Sequence, residues 1–411
     1  MDKIIWFFSG IVICLFVSCN NSDNSGNSAS EKPIWIEVEK PETKLSAIAT
    51  DIEYIPLDSE KVLLGAEIRV FPFEGRYYVW DMKNQRIVVF DQKGKFVFQL
   101  SQRGWGPKEY RSLGYFNIDP YNRRLFIKDV GKRYVFYSMD DGSFISEGEL
   151  TSSFIRMMAL SKTTQAWWLY SGDKNAVVKL KAGQSVNRLY VGDAINDNFK
   201  WEAIPFPSWE VNPAPRFELS SDGEGNAFAA DKVNNILYEF DSVGIKRKIR
   251  IETNPGVTTR KDLNFQKGKG FSNTELSKAK CLSANYCQGS KEHIYIGAWK
   301  YLEMLYDGKA GTLDIFHTIY NRKTGKSTTI NEVVANDIDG IQLCLFFPDP
   351  PTLYRGGLYA SVYAHTIKDY VEKIEDGDGE MVSEKAFDKV QRLASGLGED
   401  SNPVIAKIKL R

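Results

Sequence analysis

Histidine is scarce in this sequence, with only three among 411 residues: His293, His317 and His365. A nucleophilic site needs a base held beside a serine or cysteine, and a structural zinc site needs closely spaced His and Cys ligands. None of the three histidines lies in such a motif. The pattern therefore favours histidines packed in or next to β-strands over a catalytic triad or a zinc centre.

Cysteine and net charge are equally uninformative about chemistry. Apart from two cysteines near the N-terminus, only Cys281, Cys287 and Cys344 remain. Cys281 and Cys287 could form a disulfide, which would leave Cys344 unpaired, so disulfides are not the framework of this fold. The 53 Lys and Arg residues balance 53 Asp and Glu residues, which gives no electrostatic reason to expect a nucleic-acid partner.

Long apolar runs are absent except for one at the N-terminus, residues 4–17. This run has the length of a secretory signal and is short for a membrane span. It is followed by Ser18-Cys19, a small residue before a cysteine, which is typical of a bacterial lipobox, although Phe16 stands where leucine is usual. The sequence predicts a lipoprotein signal over residues 1–19, with lipid attachment at Cys19. The alternative is a buried segment with a chance cysteine.

The segment after Cys19 is polar and rich in Asn, Ser and Gly (NNSDNSGNSAS, residues 20–30). Such a composition cannot bury enough apolar surface to offset the entropy of ordering, so residues 20–44 are predicted to be a flexible tether. The expected location is the cell envelope, as an outer-membrane lipoprotein on the periplasmic or the outer surface. The expected membrane contact is through the lipid, since no second apolar run predicts a transmembrane helix.

What the sequence has in quantity is short strands with period-two alternation, separated by Gly, Asn and Asp turns. Six similar units recur at uneven spacing. Taken as the first strands of these units, the segments are residues 76–81, 124–129, 166–171, 226–231, 292–297 and 357–362. Six such units predict an all-β fold, a six-bladed β-propeller over residues 45–411. A tandem of β-sandwiches would also give alternating strands, but not this repeated unit.

Two terminal segments bear on closure of the ring. Residues 51–57 (DIEYIPL) and 403–410 (PVIAKIKL) each read as a strand, and we expect the N-terminal one to close the last blade. Between them, residues 383–398 place apolar side chains at helical spacing, with Ser383 as N-cap and Gly398 just past the end. We predict a helical insertion there, packed on the propeller.

The run FDQKGKF at residues 90–96, the loop GWGPKEY at residues 104–110 and the terminal Asn402-Pro403-Val404 resemble the six-bladed β-propeller lipoproteins of Bacteroidota. That family is in turn similar to the NHL-repeat propellers, which include binding proteins and a few metal-dependent enzymes. The resemblance covers residues 45–411. It implies the fold and leaves the function open between these classes.

Aromatic residues are the candidate ligand-binding residues: Trp105, Tyr110, Trp201 and Trp209. In the loop at residues 104–110, the glycines and proline could instead set a tight turn between blades, with Tyr110 packed inside. Trp201 and Trp209 lie in a proline-rich stretch, residues 201–215, which either contacts ligand or caps the propeller.

Carboxylates at strand ends are the candidate metal ligands: Asp81, Asp129 and Asp231. They could hold a channel Ca²⁺, or they could hydrogen-bond the turns that follow them. The acidic stretch at residues 375–380 (EDGDGE) lacks the spacing of an EF-hand and is expected to be a solvated loop. No cofactor is predicted.

The combined expectation is an envelope-anchored, non-catalytic propeller that binds a glycan or a peptide or protein partner, or serves as a scaffold. A metal-dependent hydrolase or lyase with its site at the channel is one alternative. A structural subunit of an outer-membrane complex is another.

Overall fold

A computed structural model describes residues 32–152, 154–169, 185–207, 219–222, 225–231, 234–253, 282–303, 312–343, 345 and 350–411. Three short strands come first in the described chain: β1 (Ile34–Ile36), β2 (Glu42–Lys44) and, after the single 3-10 turn Leu45–Ala47, β3 (Ala49–Pro56). None of the helices in these ranges is long and apolar enough to cross a membrane.

The strands form six sheets, each begun by an innermost strand and extended outward by antiparallel strands, with β1, β2 and β3 at the outer edges of three of them. Sheets 1 to 3 contain four strands each. Sheet 1 consists of β4 (Ile68–Phe73), β5 (Arg76–Asp81), β6 (Arg86–Asp91) and β7 (Phe96–Leu100). Sheet 2 consists of β8 (Tyr115–Asp119), β9 (Arg124–Lys128), β10 (Arg133–Ser138) and β11 (Phe144–Glu149). Sheet 3 consists of β12 (Phe154–Ala159), β13 (Gln165–Leu169), β14 (Ser185–Asp193) and β15 (Asn198–Pro207).

Sheets 4 to 6 incorporate the N-terminal strands. Sheet 4 consists of β16 (Leu219–Ser221), β17 (Ala227–Asp231), β18 (Ile236–Phe240) and β19 (Ile245–Thr253), with β1 added in parallel at its outer edge. Sheet 5 consists of β20 (Leu282–Gly289), β21 (His293–Glu303), β22 (Thr312–Asn321) and β23 (Lys326–Ala335), with β2 added in the same way. Sheet 6 consists of β24 (Thr352–Tyr354), β25 (Gly357–Val362), β26 (Val404–Leu410) and β3.

The sheets follow one another around a common centre. The innermost strands of sheets 2 to 6 contact each other in chain order, and that of sheet 6 contacts β4 of sheet 1. Between sheets 1 and 2, the rings of Phe71 and Phe116 meet edge to face at 4.6 Å. The side chains between neighbouring sheets are apolar and buried, which is the packing that holds propeller sheets together. The prediction of an all-β propeller is confirmed.

The predicted closure is also confirmed. Strand β3 pairs antiparallel with β26, from Pro56 opposite Val404 to Ala49 opposite Leu410. The N-terminal strand thus becomes the outermost strand of a sheet otherwise built by the C-terminal part of the chain. A propeller closed in this way leaves no gap between its first and last sheets.

Two predictions need correction. The six strands that we took as first in their units are the second strands β5, β9, β13, β17, β21 and β25, because the innermost strands that precede them were not recognised. The predicted tether extends too far, since residues 34–36 and 42–44 form β1 and β2. The alternating Ile34 and Ile36 are fully buried against sheets 4 and 5, which supplies the apolar contact that a tether lacks.

A helical pair is inserted between β25 and β26. Helix α1 (Ala364–Glu375) was not predicted, and α2 (Glu384–Ser395) is the helix expected at residues 383–398. The Ser383 hydroxyl accepts a hydrogen bond from the Ala386 N–H, as an N-cap does. The buried faces of the two helices join one apolar cluster with sheets 5 and 6, so the insertion packs on the propeller as predicted.

Candidate functional site

A cavity lies at the centre of the ring and is lined by all six innermost strands. Its volume is about 140 Å³. A turn of two to five residues connects each of these strands to the second strand of its sheet. These six short turns lie around the cavity on one face of the ring, which we call the short-turn face. Tyr121, in the β8–β9 turn, lines the cavity and is 36% exposed, which places the mouth at this short-turn face.

The lining residues lie at different depths along the innermost strands. Near the mouth are the last residues of innermost strands, Phe73 and Tyr354. Further in are Arg69, the second residue of β4, and Arg156, the third residue of β12. Arg69 is only 5% exposed. A guanidinium at this depth lies in a low-dielectric environment, where its attraction to an opposite charge is stronger than in water.

Both guanidinium groups stack on aromatic rings of the cavity lining. The Cζ atom of Arg156 is 4.3 Å from the centre of the Tyr115 ring, and that of Arg69 is 4.7 Å from the Phe71 ring. Such cation–π contacts occupy the face of the guanidinium, whereas its N–H groups lie in the plane at its edge. No Asp or Glu is among the described residues that line the cavity. The described lining therefore combines two arginines with aromatic and aliphatic side chains.

Two amide side chains in the lining are used internally. Gln288 donates to the carbonyl oxygen of Pro351 at 2.9 Å and accepts from the Leu353 N–H at 2.7 Å. Asn117 donates to the carbonyl oxygen of Met157 at 2.7 Å and accepts from the N–H of Ile118. These bonds fix the walls between sheets and reduce the capacity of the amides to bind a ligand.

Thr352 differs from these amides. Thr352 lines the cavity, and its hydroxyl is buried, with no hydrogen-bond partner among the described residues. A buried hydroxyl without a partner costs free energy. A polar ligand group would supply that partner.

The structure places the predicted residues Trp105 and Tyr110 outside this cavity. Trp105 is 83% exposed, with the Arg111 guanidinium 4.7 Å from its ring. Tyr110 is fully buried between sheets 1 and 2, and its hydroxyl donates to the carbonyl oxygen of Gln85 at 2.6 Å. Tyr110 therefore has the packing role that we weighed as the alternative, while ligand binding by Trp105 stays a prediction.

Trp201 is not part of a loop. It lies in β15, where it packs edge to face on Phe240 and its indole N–H donates to the carbonyl oxygen of Ser242. This contact links sheets 3 and 4 and gives Trp201 a structural role. Trp209 lies outside the described residues, so its predicted role stays a prediction.

The predicted aspartates hold turns in place. Asp81 accepts hydrogen bonds from the Asn84 amide and forms an ion pair with Arg86, and Asp231 accepts from the Asn234 amide in the same way. The common pattern is Asp followed by Asn three residues later. It recurs at Asp119 and Asp193, which the sequence analysis overlooked.

Asp129 has a different set of donors. Burial raises the pKa of Asp129, but the N–H groups of Val130, Ser112 and Arg111, together with the Arg133 guanidinium, outweigh burial and leave the pKa below its ordinary value. Among the described residues, no three His, Cys, Asp or Glu side chains group as metal ligands would.

The two histidines of sheet 5 are packed. His317 is buried, its ring Nδ1 lies 2.9 Å from the Tyr295 hydroxyl, and burial lowers its pKa to about 3. The Nε2 atom of His293 lies 2.7 Å from the carbonyl oxygen of Arg411. Cys287 is buried in an apolar cluster, whereas its predicted partner Cys281, like Cys19 and Cys344, lies outside the described residues.

The sequence analysis did not identify the cavity-lining residues, because they can be recognised only when the innermost strands are known. β16 and β24 have three residues each, which is too short for an alternation to be recognised. One signal was available: Arg69 and Arg156 stand in otherwise apolar stretches, RVFPF and RMMA. An isolated arginine among apolar residues is the kind of buried charge that marks a site.

A solved structure of an exported protein from Bacteroides fragilis NCTC 9343 is similar to this chain, with a TM-score of 0.68 and 16% identity over 92% of this chain and 99% of the other. At this identity the likeness supports the fold alone. BamB from Moraxella catarrhalis has a TM-score of 0.34, with 10% identity over 88% of this chain and 90% of its own. The Pan2 WD40 domain of Neurospora crassa has a TM-score of 0.36, with 10% identity over 73% and 76%. TM-scores this low support no conclusion about this chain.

No curated protein matches the sequence. One family model does, and it extends over residues 33–409, nearly the whole described chain. The match begins one residue before β1 and ends within β26, so it includes the added N-terminal strands and the closing strand. The chain belongs to the family of the domain of unknown function DUF4934.

Proposed function

We propose that this chain is an exported, non-catalytic binding propeller of the cell envelope, and that its ligand, a glycan or a peptide, enters the central cavity. The supporting observation is the cavity itself. It is lined by every innermost strand and by two arginines, and the buried Thr352 hydroxyl in its lining has no hydrogen-bond partner among the described residues. Concave sites with mostly apolar walls and a few placed polar groups are the usual form of a ligand site.

The proposal includes a six-bladed ring, in which sheets 1 to 6 are the blades and the pairing of β3 with β26 is the closure. The contacts between successive innermost strands support this count. It also includes lipid attachment at Cys19 and residence at the outer membrane, in a group of NHL-like lipoprotein propellers. The lipobox and the exported relative from Bacteroides fragilis support these points.

A blocking substitution tests the cavity. Ser220 lines the cavity on β16, and Ser220→Trp would fill space that a ligand needs. A panel of envelope glycans and peptides is titrated against the unmodified protein, the variant and a matched control, Ser146→Trp, which is exposed on the outermost strand β11. We expect at least one ligand whose affinity falls at least tenfold in Ser220→Trp and is retained in the control.

Thermal unfolding of both variants is measured alongside, because Ser220 also accepts a hydrogen bond from the Gly289 N–H. A ligand bound equally well by Ser220→Trp would contradict the proposed site. A panel with no ligand at all would contradict the binding function.

A further inference from the structure

We propose that the central cavity binds one uncharged aromatic ring, the side chain of a phenylalanine or tyrosine in a peptide that lies across the short-turn face. This inference rests on the proposed function and narrows its ligand to one class. Four features support it: the apolar part of the lining, the internal contacts of its polar residues, the size of the cavity and the position of its mouth.

Apolar side chains from five of the six sheets line the cavity. They include Phe71, Phe73, Tyr115, Met158, Leu219 and Leu353. Transfer of an apolar group from water onto such a surface is favourable. A ring gains more than an aliphatic group of equal size, because it also makes edge-to-face contacts with other rings and contacts with the methionine sulfur.

The polar side chains of the lining are largely used by the protein itself. The guanidinium groups of Arg69 and Arg156 stack on rings of the lining, and both arginines make further interactions within the protein. The amides of Asn117 and Gln288 are bonded to backbone groups of adjoining segments. A sugar would bring several hydroxyl groups into the cavity, and each buried hydroxyl needs a partner. The lining therefore favours an uncharged ring over a sugar.

Thr352 leaves room for one polar atom on that ring. Its buried hydroxyl has no hydrogen-bond partner among the described residues. A hydroxyl group both donates and accepts, so the phenol group of a tyrosine can pair with it. A phenylalanine ring brings no polar atom that needs a partner. Both side chains are thus compatible with the lining.

The size of the cavity matches one ring. Its volume is about 140 Å³, close to that of a cavity of roughly 150 Å³ that binds benzene. The rest of the ligand must then lie outside, at the mouth.

The mouth opens onto a polar surface. Tyr121 lines the cavity and is 36% exposed. Arg123, in the same turn, is exposed and pairs with Glu74 and Asp140 of two other turns on this face. Charged side chains next to the mouth can form hydrogen bonds with the amide groups of a peptide backbone. This surface favours a peptide as the source of the ring.

The test compares peptides that differ in one side chain. The unmodified protein is titrated calorimetrically with acetyl-Gly-Gly-X-Gly-Gly-amide, in which X is Phe, Tyr, cyclohexylalanine, 4-carboxyphenylalanine or Ala. We expect the Phe and Tyr peptides to bind at least tenfold more tightly than the Ala and carboxyphenylalanine peptides. They should bind at least threefold more tightly than the cyclohexylalanine peptide, which has the same carbon skeleton without an aromatic ring.

Two further properties of the binding follow from an uncharged, apolar ligand. The affinity for the Phe peptide should change little as salt is raised, because no ion pair is formed with the ligand. The heat-capacity change of binding should be negative, because apolar surface is buried. An affinity that fell steeply with salt would contradict the inference.

Variants locate the ring. Ser220→Trp should abolish binding of the Phe peptide. Phe73→Leu removes an aromatic ring from the lining and should weaken the Phe peptide at least threefold, with little effect on the cyclohexylalanine peptide. The matched control is Phe96→Leu, a half-buried phenylalanine on the outermost strand of the same sheet, and it should bind like the unmodified protein. Since the ligand comparison uses unmodified protein, misfolding of a variant does not prevent the test.

Free aromatic molecules distinguish the source of the ring. Toluene and p-cresol present the rings of Phe and Tyr without a backbone. We expect them to bind at least tenfold more weakly than the peptides, because they make no contact outside the cavity. Binding as tight as that of the peptides would overturn the peptide as ligand.

The outcomes separate this inference from the proposed function. Tighter binding of the carboxyphenylalanine peptide or of a glycan from the panel, lost in Ser220→Trp, would overturn the uncharged ring and leave the cavity as the site. Phe-peptide binding that Ser220→Trp does not weaken would place the ring outside the cavity and overturn the inference. No binding of these peptides or of the wider panel would overturn both.

Discussion

Asn402 connects the two ends of the chain through one side chain. Its amide nitrogen donates to the carbonyl oxygens of Asp58 and Val62, both at 2.8 Å, and its oxygen accepts from the Leu64 N–H at 2.7 Å. The residue is 2% exposed. Only an amide both donates two hydrogen bonds and accepts in so short a side chain, so the position requires Asn.

Asn402→Ala should lower the free energy of unfolding by about 3 kcal/mol, because it leaves buried backbone groups without partners at a cost of ~1–3 kcal/mol each, partly relieved by water. Urea denaturation measures the change. The matched control, Asn198→Ala, removes an exposed amide from the start of β15 and should change stability by less than about 0.5 kcal/mol. Equal effects of the two substitutions would contradict the role of Asn402.

The reason why two positions require glycine also could not be predicted from the sequence. The FDQKGKF hairpin was visible in the sequence, but its Gly94 packs so closely on β3 that a Cβ would lie 2.0 Å from the Pro56 carbonyl oxygen. At Gly104 a Cβ would lie 2.0 Å from the Glu109 carboxylate, which accepts from the Gly106 N–H. Both motifs are visible in the sequence. The groups that leave no room for a side chain are not, because they lie on a distant strand or meet the glycine only when the loop is folded.

The helical pair meets the ring at a buried carboxyl group. Asp339 is 2% exposed and lies just after β23. One of its oxygens accepts from the Tyr54 hydroxyl on β3, from the Asn336 amide and from the Ile341 N–H. Burial raises the pKa of Asp339, an effect that its hydrogen bonds and the nearby Lys389 of α2 only partly offset.

The sign of this shift gives a pH prediction. Since the folded-state pKa lies above the ordinary value of 3.8, protonated Asp339 contributes stability that is fully present below that value and is lost as the pH rises through the folded-state pKa. Asp339→Asn keeps the accepting oxygen and cannot ionise. We therefore expect its stability relative to the unmodified protein to increase from pH 3.5 to pH 8.

Urea denaturation across that range measures the difference. The control is Asp51→Asn, whose side chain is 66% exposed and 3.5 Å from Lys389, and it should show little change in relative stability over the same range. If the free energy of unfolding of Asp339→Asn differed from that of the unmodified protein by the same amount at every pH, the substitution would act through packing alone.

Whether a helix or strand could be predicted from the sequence depended on its length and on how regularly its apolar residues are spaced. Helix α2 was predicted from its regular apolar spacing and its N-cap, whereas α1 was not, although its buried Ile367 and Val371 are four residues apart. The outer strands alternate clearly. Two innermost strands, β16 and β24, have only three residues, and others carry polar side chains such as Asn117 and Arg156 in the channel lining. The pattern that identifies strands is therefore weakest where the candidate site lies.

For the whole molecule, stability should depend on the pairing of β3 with β26. Ile52 is fully buried in β3 opposite Ile408. Ile52→Ala should lower the free energy of unfolding by about 2–5 kcal/mol. The transition should stay cooperative, with tryptophan fluorescence and circular dichroism changing together, because opening the seam exposes the sides of both adjoining sheets.

Ile145→Ala is the control for this substitution, since Ile145 is 46% exposed on the outermost strand of sheet 2. Its effect should stay within about 0.5 kcal/mol. Separate transitions for the two probes in Ile52→Ala would mean that the sheets unfold independently and that closure does not couple them.

The same seam bears on how fast the ring can form. Strand β3 (Ala49–Pro56) pairs with β26 (Val404–Leu410), and sheets 1 to 5 lie between the two strands in the sequence. Contacts between segments so distant in sequence form slowly, because a long loop has to close before they can form. We therefore expect the pairing of β3 with β26 to form late in folding, after the hairpins whose strands are neighbours in sequence.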